Sequence, residues 1–198
     1  MIAVSDHQNL TPEEYLELES QSAIKHEYIN GEVYAMAGTT DTHNTIALNL
    51  AMLIRSHLRG TECRVYFAEV KARLEQRNCF YYPDLFVTCD PQDRETSTYK
   101  RFPKLIVEVL SESTEAFDRG DKFNDYQTLD SLEEYLLVNT RHQRVEIFRR
   151  NEVGGWLFHA YSATDENFTL ESINLTVAFA ELYEEVNLER ESAELSDA

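Results

Sequence analysis

The segment Pro103-Lys104-Leu105-Ile106-Val107-Glu108-Val109-Leu110-Ser111 constrains the fold more than any other part of the chain. Its aliphatic run is continuous rather than alternating and too short for a helix, the pattern of a strand covered on both faces in the middle of a sheet. Glu108 interrupts that run. A carboxylate taken out of water protonates, finds a cationic partner or binds a metal, because the bare charge costs too much. Alternation along the strand puts Glu108 on one face with Ile106 and Leu110. A second block, Phe80-Tyr81-Tyr82-Pro83-Asp84-Leu85-Phe86-Val87, also reads as a strand with a single carboxylate, and there Asp84 shares its face with Tyr82 and Phe86. Two carboxylates on neighbouring strands repel unless positive charge lies between them, and an oxygen-preferring divalent cation meets that need.

The flanking elements can be placed in order. Thr11-Pro12-Glu13-Glu14 is a helix start with a cap, a first-position proline and a capping box, and the helix runs to about Ser20. Lys25 to Met36 alternates around Asn30-Gly31, a hairpin turn pair, which sets Glu27 opposite Tyr34. Glu27 either extends an acidic site or is an exposed strand residue. His43 to Gly60 is amphipathic, with Ile46, Leu50, Leu53 and Ile54 on one face. His43 lies in its first turn, where a surface or capping role is preferred to a catalytic one. Arg64 to Leu74 alternates as one strand and pairs with the Phe80 block; Lys71 lies on it. Glu134 to Val138, Val145 to Arg149 and Trp156 to Tyr161 form a meander, with Trp156 and Phe158 assigned to core or dimer interface. Phe179 to Val186 is a short helix.

A chain of 198 residues is expected to form one domain, here residues 1–186, followed by an acidic tail at 187–198 expected to be disordered. Cys63, Cys79 and Cys89 are odd in number and lack C-x-x-C spacing, which argues against a disulfide framework and for a reducing, cytoplasmic setting. No run reaches membrane-spanning length. The formal charge of −18 argues against tight non-specific binding to nucleic acid, although Lys100, Arg101 and Lys104 offer a local basic rim.

Pro83-Asp84, followed after a loop by Glu108-Val109-Leu110, resembles the signature of the PD-(D/E)XK nuclease superfamily. The superfamily's lysine lies two residues after the glutamate, where this chain has Leu110. Members that lack it there supply it from the next helix, and Lys122 in Asp118-Arg119-Gly120-Asp121-Lys122 is the counterpart, with Asp118 as helix cap and Lys122 in the first turn. The order Glu27-Tyr28-Ile29-Asn30-Gly31-Glu32, His43, Pro83-Asp84, Glu108-Val109-Leu110-Ser111, Asp118, Lys122, Tyr126, Glu134-Tyr135 is similar to the Uma-two family of restriction-endonuclease-like proteins, from about Leu10 to about Val186. Leu136 departs from it, standing where that family often has tryptophan.

The resemblance implies an α+β fold with an α/β core: a restriction-endonuclease-like mixed sheet flanked by helices, with an added N-terminal hairpin and C-terminal meander. It further implies Mg²⁺ or Mn²⁺ held by Asp84 and Glu108, Lys122 as catalytic lysine with Lys71 as rival, and Glu27 as an upstream supporting acid. The implied reaction is hydrolysis of phosphodiester bonds in nucleic acid, DNA by preference; since cutting a duplex needs paired sites, a homodimer is expected. A nuclease-fold homodimer without catalysis, acting as an interaction or regulatory protein, is the alternative that the acidic charge favours.

Overall fold

The computed structural model describes residues 2–3, 9–36 and 38–188. In chain order the elements begin with β1 (Ile2–Ala3), α1 (Pro12–Gln21), β2 (His26–Ile29), β3 (Glu32–Ala35) and α2 (Asp41–His57). Next come β4 (Arg64–Phe67), β5 (Lys71–Leu74), β6 (Cys79–Tyr81), β7 (Leu85–Thr88), β8 (Tyr99–Lys100) and β9 (Pro103–Leu110). Then follow α3 (Glu115–Phe117), a π-helical turn (Asp118–Lys122) and α4 (Phe123–Tyr126). Last are β10 (Glu134–Asn139), β11 (Arg144–Arg150), β12 (Trp156–Ser162), β13 (Asn167–Leu170), β14 (Leu175–Ala178) and α5 (Phe179–Leu182). Among the described residues the strands form two six-stranded sheets, ordered β1-β3-β2-β6-β5-β8 and β12-β11-β10-β9-β7-β4, and the hairpin β13-β14. This is the mixed α+β architecture expected, with the N-terminal hairpin built into the first sheet and the meander extending the second.

As its sequence implies, β9 lies inside the second sheet, parallel to β10 and antiparallel to β7. Its two faces serve two cores. Leu105, Val107 and Val109 pack with Leu85, Val87 and the apolar stripe Ile46, Leu50 and Ile54 of α2. Ile106 and Leu110 pack on the other side with Phe86, Phe123, Tyr126 and Tyr135. Each fully buried aliphatic side chain contributes about 1.5–3 kcal/mol, so β9 is anchored from both sides. A third cluster, Tyr15, Tyr28, Val33 and Phe80, fixes α1 on the first sheet. The capping box of Thr11 and Glu14 forms as expected, and Asn30 and Gly31 turn the hairpin with φ of 49° and 99°.

One continuous strand from Arg64 to Leu74 does not form. The segment divides into β4 and β5, and its partner divides into β6 and β7, because both arms of this long hairpin bend at the same level. Ala68 takes a left-handed backbone (φ 49°), and Pro83 has no N–H to give a ladder. The Ala68 N–H bonds the Asp84 carbonyl at 3.0 Å, which ties the two bends together. The half nearer the turn (β5, β6) therefore joins the first sheet and the other half (β7, β4) the second. Asp84 sits at the corner where the sheets part.

Further expectations are corrected. Cys63 and Cys89 are joined by a disulfide; they flank the Arg64–Thr88 pair of β4 and β7, a juxtaposition that sequence spacing conceals, and the case for a reducing compartment loses its ground. Cys79 is free and buried. The helix carrying Lys122 starts earlier than expected: Thr114 precedes it, and Asp118 opens the π-helical turn rather than capping the helix. The basic rim does not assemble, since Lys100 is buried against the carbonyls of Asp93 and Thr96, Arg101 pairs with Glu95, and Lys104 pairs with Glu133. The hairpin β13-β14 was not legible in the sequence. Residues 189–198 of the expected tail lie outside the described residues.

Candidate active site

Glu108 is 2% exposed, and both of its carboxylate oxygens have polar partners. Its Oε1 accepts from the Tyr126 hydroxyl at 3.0 Å and lies 3.0 Å from Lys122 Nζ. Its Oε2 accepts from the Asp84 N–H at 3.2 Å, while Asp84 Oδ2 accepts from the Val109 N–H at 2.8 Å. The last backbone pair between β7 and β9 is Leu85 with Val107, so these reciprocal bonds continue the ladder by one rung with side chains in place of carbonyls. His43, in the first turn of α2, places Nε2 3.2 Å from the same Oδ2 of Asp84. The other Asp84 oxygen, Oδ1, takes part in none of these contacts.

Lys122 stands among carboxylates. Besides Glu108, its Nζ lies 3.1 Å from Glu27 Oε1 and 3.6 Å from Asp118 Oδ1, and it rests over the Tyr81 ring at 5.5 Å. Glu27 is 3% exposed, not the exposed strand residue that was the alternative; it also accepts from the Tyr82 N–H at 3.1 Å. The π-helical turn widens the helix where Asp118 and Lys122 face the sheet, and Tyr126 lies one further turn along. Such turns occur often at functional sites. Lys71 lies elsewhere, with Nζ 3.1 Å from the Tyr82 hydroxyl and behind that ring, in a separate network with Glu19 and His26.

Of the residues weighed in the sequence, Asp84, Glu108 and Lys122 were assigned to the site, Glu27 was left open, and His43 was expected on the surface or as a cap. The structure brings all five together, with His43 largely buried against Asp84. Sequence reasoning missed Asp118, taken as a cap, and Tyr126, taken only as part of a pattern. Their spacing of four from Lys122 on either side was the available signal, since residues four apart share a helix face.

Charge is out of balance here. Four carboxylates face one ammonium and His43. Burial raises the pKa of Glu108 well above the usual glutamate value despite Lys122, with Asp118, Asp84 and Glu27 adding to the rise; burial likewise raises Glu27 and Asp118. Burial opposes the charge on Lys122, but Glu108, Glu27 and Asp118 outweigh it and hold its pKa above the usual lysine value. The surroundings thus favour the charged form of Lys122 and the neutral forms of Glu27, Glu108 and Asp118. For His43, burial lowers the pKa, and bonding and attraction to Asp84 more than reverse this.

A raised carboxylate pKa means that the folded state binds more protons than the unfolded one, so stability falls as pH climbs from the usual glutamate value through the folded one. Glu108→Gln removes that slope at this position. Its melting temperature relative to wild type, both without divalent metal, will therefore rise with pH across that window; a difference constant with pH would show that Glu108 is not strained by its surroundings.

These groups line a cavity of about 480 Å³, with Glu27, His43, Asp84, Glu108, Asp118 and Lys122 on its polar wall and Met36 and Phe117 on its apolar one. Among the described residues, no three His, Cys, Asp or Glu side chains are arranged to hold a metal ion as they stand. The donor chemistry nevertheless fits a hard cation: the carboxylates of Asp84 and Glu108 face one cavity, Asp84 Oδ1 lies outside the contacts given above, and carboxylates outnumber cationic groups around it.

Two sheets parting at a Pro-Asp corner, a central strand bearing Glu108 and a helix delivering Lys122 define a restriction-endonuclease-like nuclease fold. A crystal structure of a putative nuclease belonging to DUF820 from Anabaena variabilis superposes with a TM-score of 0.74 over 90% of this chain and 99% of that one, at 16% identity. The family model described as "Putative restriction endonuclease", Uma2, matches residues 12–180, and the chain belongs to that family. It is 40% identical over 174 residues to the uncharacterized protein slr1290 of Synechocystis sp., covering 88% of this chain and 91% of that protein. It is 32% identical over 159 residues to sll1609 of the same organism, covering 79% and 90% respectively.

Proposed function

We propose that the chain is a metal-dependent endonuclease that hydrolyses phosphodiester bonds of nucleic acid, DNA by preference. The observation that carries this reading is the convergence of Asp84, Glu108 and Lys122 on one cavity at the sheet corner of a nuclease-like fold. Asp84 and Glu108 would hold Mg²⁺ or Mn²⁺. When bound, such an ion lowers the pKa of a coordinated water and offsets charge on the phosphate. The side chains supply the rest. Lys122 is held by Glu27 and Asp118 with donors directed at Glu108, where it can orient a water or stabilise a developing oxyanion. Tyr126 fixes the Glu108 carboxylate, and His43 fixes that of Asp84.

Plasmid or oligonucleotide cleavage with Mg²⁺ or Mn²⁺ tests the reading. Wild type and Lys71→Ala cut, whereas Lys122→Ala and Asp84→Asn fall by about 10²–10³-fold or more, the scale set by removal of a single transition-state donor. Equal loss in the Lys71 and Lys122 variants would refute the role given to Lys122. A second reading, a nuclease-fold interaction protein without catalysis, draws support from the net charge of −18 and from the pairing of Arg101 and Lys104 with acids. Intact wild type that leaves every nucleic acid uncut would favour it. Among the described residues, no helix is long and apolar enough to cross a membrane.

A further inference from the structure

The outer strand of the second sheet, β12, has the sequence Trp-Leu-Phe-His-Ala-Tyr-Ser, with no acid, lysine, arginine or proline. It pairs with β11 along its whole length, Arg144 with Ser162 through Arg150 with Trp156, without a bulge. Among the described residues it has no partner on its other side. Among the described residues the remaining edge strands are four residues or shorter, and β4, at the opposite edge, begins with Arg64. Long, flat, uncharged edges are what monomeric proteins avoid, because their free N–H and C=O groups recruit another strand.

Side chains mark the same edge. One rung of directly opposed residues crosses all six strands: Tyr66, Phe86, Ile106, Tyr135, Phe148 and Phe158. Phe158 packs on Phe148 at 5.1 Å between ring centres, yet remains 55% exposed because the rung ends there. On the opposite face of β12, Leu157 is 62% exposed. The edge therefore offers an unfinished ladder and apolar side chains on both faces.

We propose that this edge pairs with the same edge of a second copy, β12 antiparallel to β12 about a two-fold axis, so that the second sheets run on as one. The occupant must present an extended, uncharged strand with apolar groups on both faces, and β12 itself meets each condition. Charge also favours the pairing: in a chain of net −18, this strand lets two copies meet without opposing carboxylates. The catalytic strand β9 lies inward of β10 and β11, so each copy's cavity stays open.

Light scattering coupled to gel filtration, with amide hydrogen exchange read residue by residue, tests the proposal on the full chain. Wild type should have about twice the 23.0 kDa chain mass, with N–H groups protected along all of Trp156–Ser162. Leu157→Lys with Phe158→Lys should give a folded monomer in which alternate β12 amides exchange freely. A wild-type monomer at micromolar concentration, a dimer that survives both substitutions, or a wild-type dimer with only alternate β12 amides protected would each overturn it. Exchange on the wild type decides the matter even if the double variant misfolds. A protected edge in a particle containing a different protein would overturn self-pairing and leave β12 as a docking edge for another strand.

Discussion

Lys122→Ala will cost about 3–5 kcal/mol of folding stability at neutral pH without divalent metal, the range for removing one partner from a buried ionic cluster. The variant takes the single ammonium from among Glu27, Glu108 and Asp118, all of them buried. Those carboxylates must then protonate or repel one another in a medium that screens poorly. Protonation limits the damage and fixes its pH dependence. With their counter-ion gone, the three pKa values rise further, the folded state takes up more protons than the unfolded one, and the deficit grows as pH rises. Urea unfolding of wild type and variant at pH 5 and pH 8 would measure this. A deficit below about 1 kcal/mol at both pH values, the scale of an exposed pair, would mean that the cluster is already neutral and that Lys122 holds no charge in place.

Millimolar Mg²⁺ or Mn²⁺ will raise the melting temperature of wild type. An ion that binds only the folded state at 100 times its dissociation constant stabilises it by about 2.7 kcal/mol, or roughly 5–10 °C for a domain of this size. The physical cause is the surplus of carboxylates over cations around the cavity, which a divalent ion relieves. Asp84→Asn removes one charge and weakens one donor while keeping the side-chain shape and the acceptor for the Val109 N–H. The shift should shrink in that variant. The same shift in both proteins would place the ion elsewhere.

How much of this was legible in the sequence depended on whether the signal was local. The lone Glu108 in an aliphatic run exposed a burial conflict without any knowledge of the fold, and the Asn30-Gly31 turn fixed the register that brings Glu27 inward. Asp84 was legible as a carboxylate beside Pro83. Its position at the junction of two sheets was not, because the bend opposite it comes from Ala68, whose left-handed backbone no sequence rule suggests. The cysteine pair escaped for a similar reason: Cys63 and Cys89 meet only through the register of β4 on β7. Lys122 could be favoured over Lys71 from the direction of helical side chains, but the π-helical turn that also brings in Asp118 has no composition signal. The apparent basic loop failed as an interface because a count of lysines says nothing of their partners.

The central claim is that Asp84 and Glu108 share a divalent cation. Crystals soaked in Mn²⁺ and measured at the manganese absorption edge test it most directly. The account predicts an anomalous peak bound by the carboxylates of Asp84 and Glu108 in wild type, and its loss in Asp84→Asn crystals treated alike. No peak in that cavity, or one held by other residues while Lys122 still occupies the Glu108 carboxylate, would contradict it.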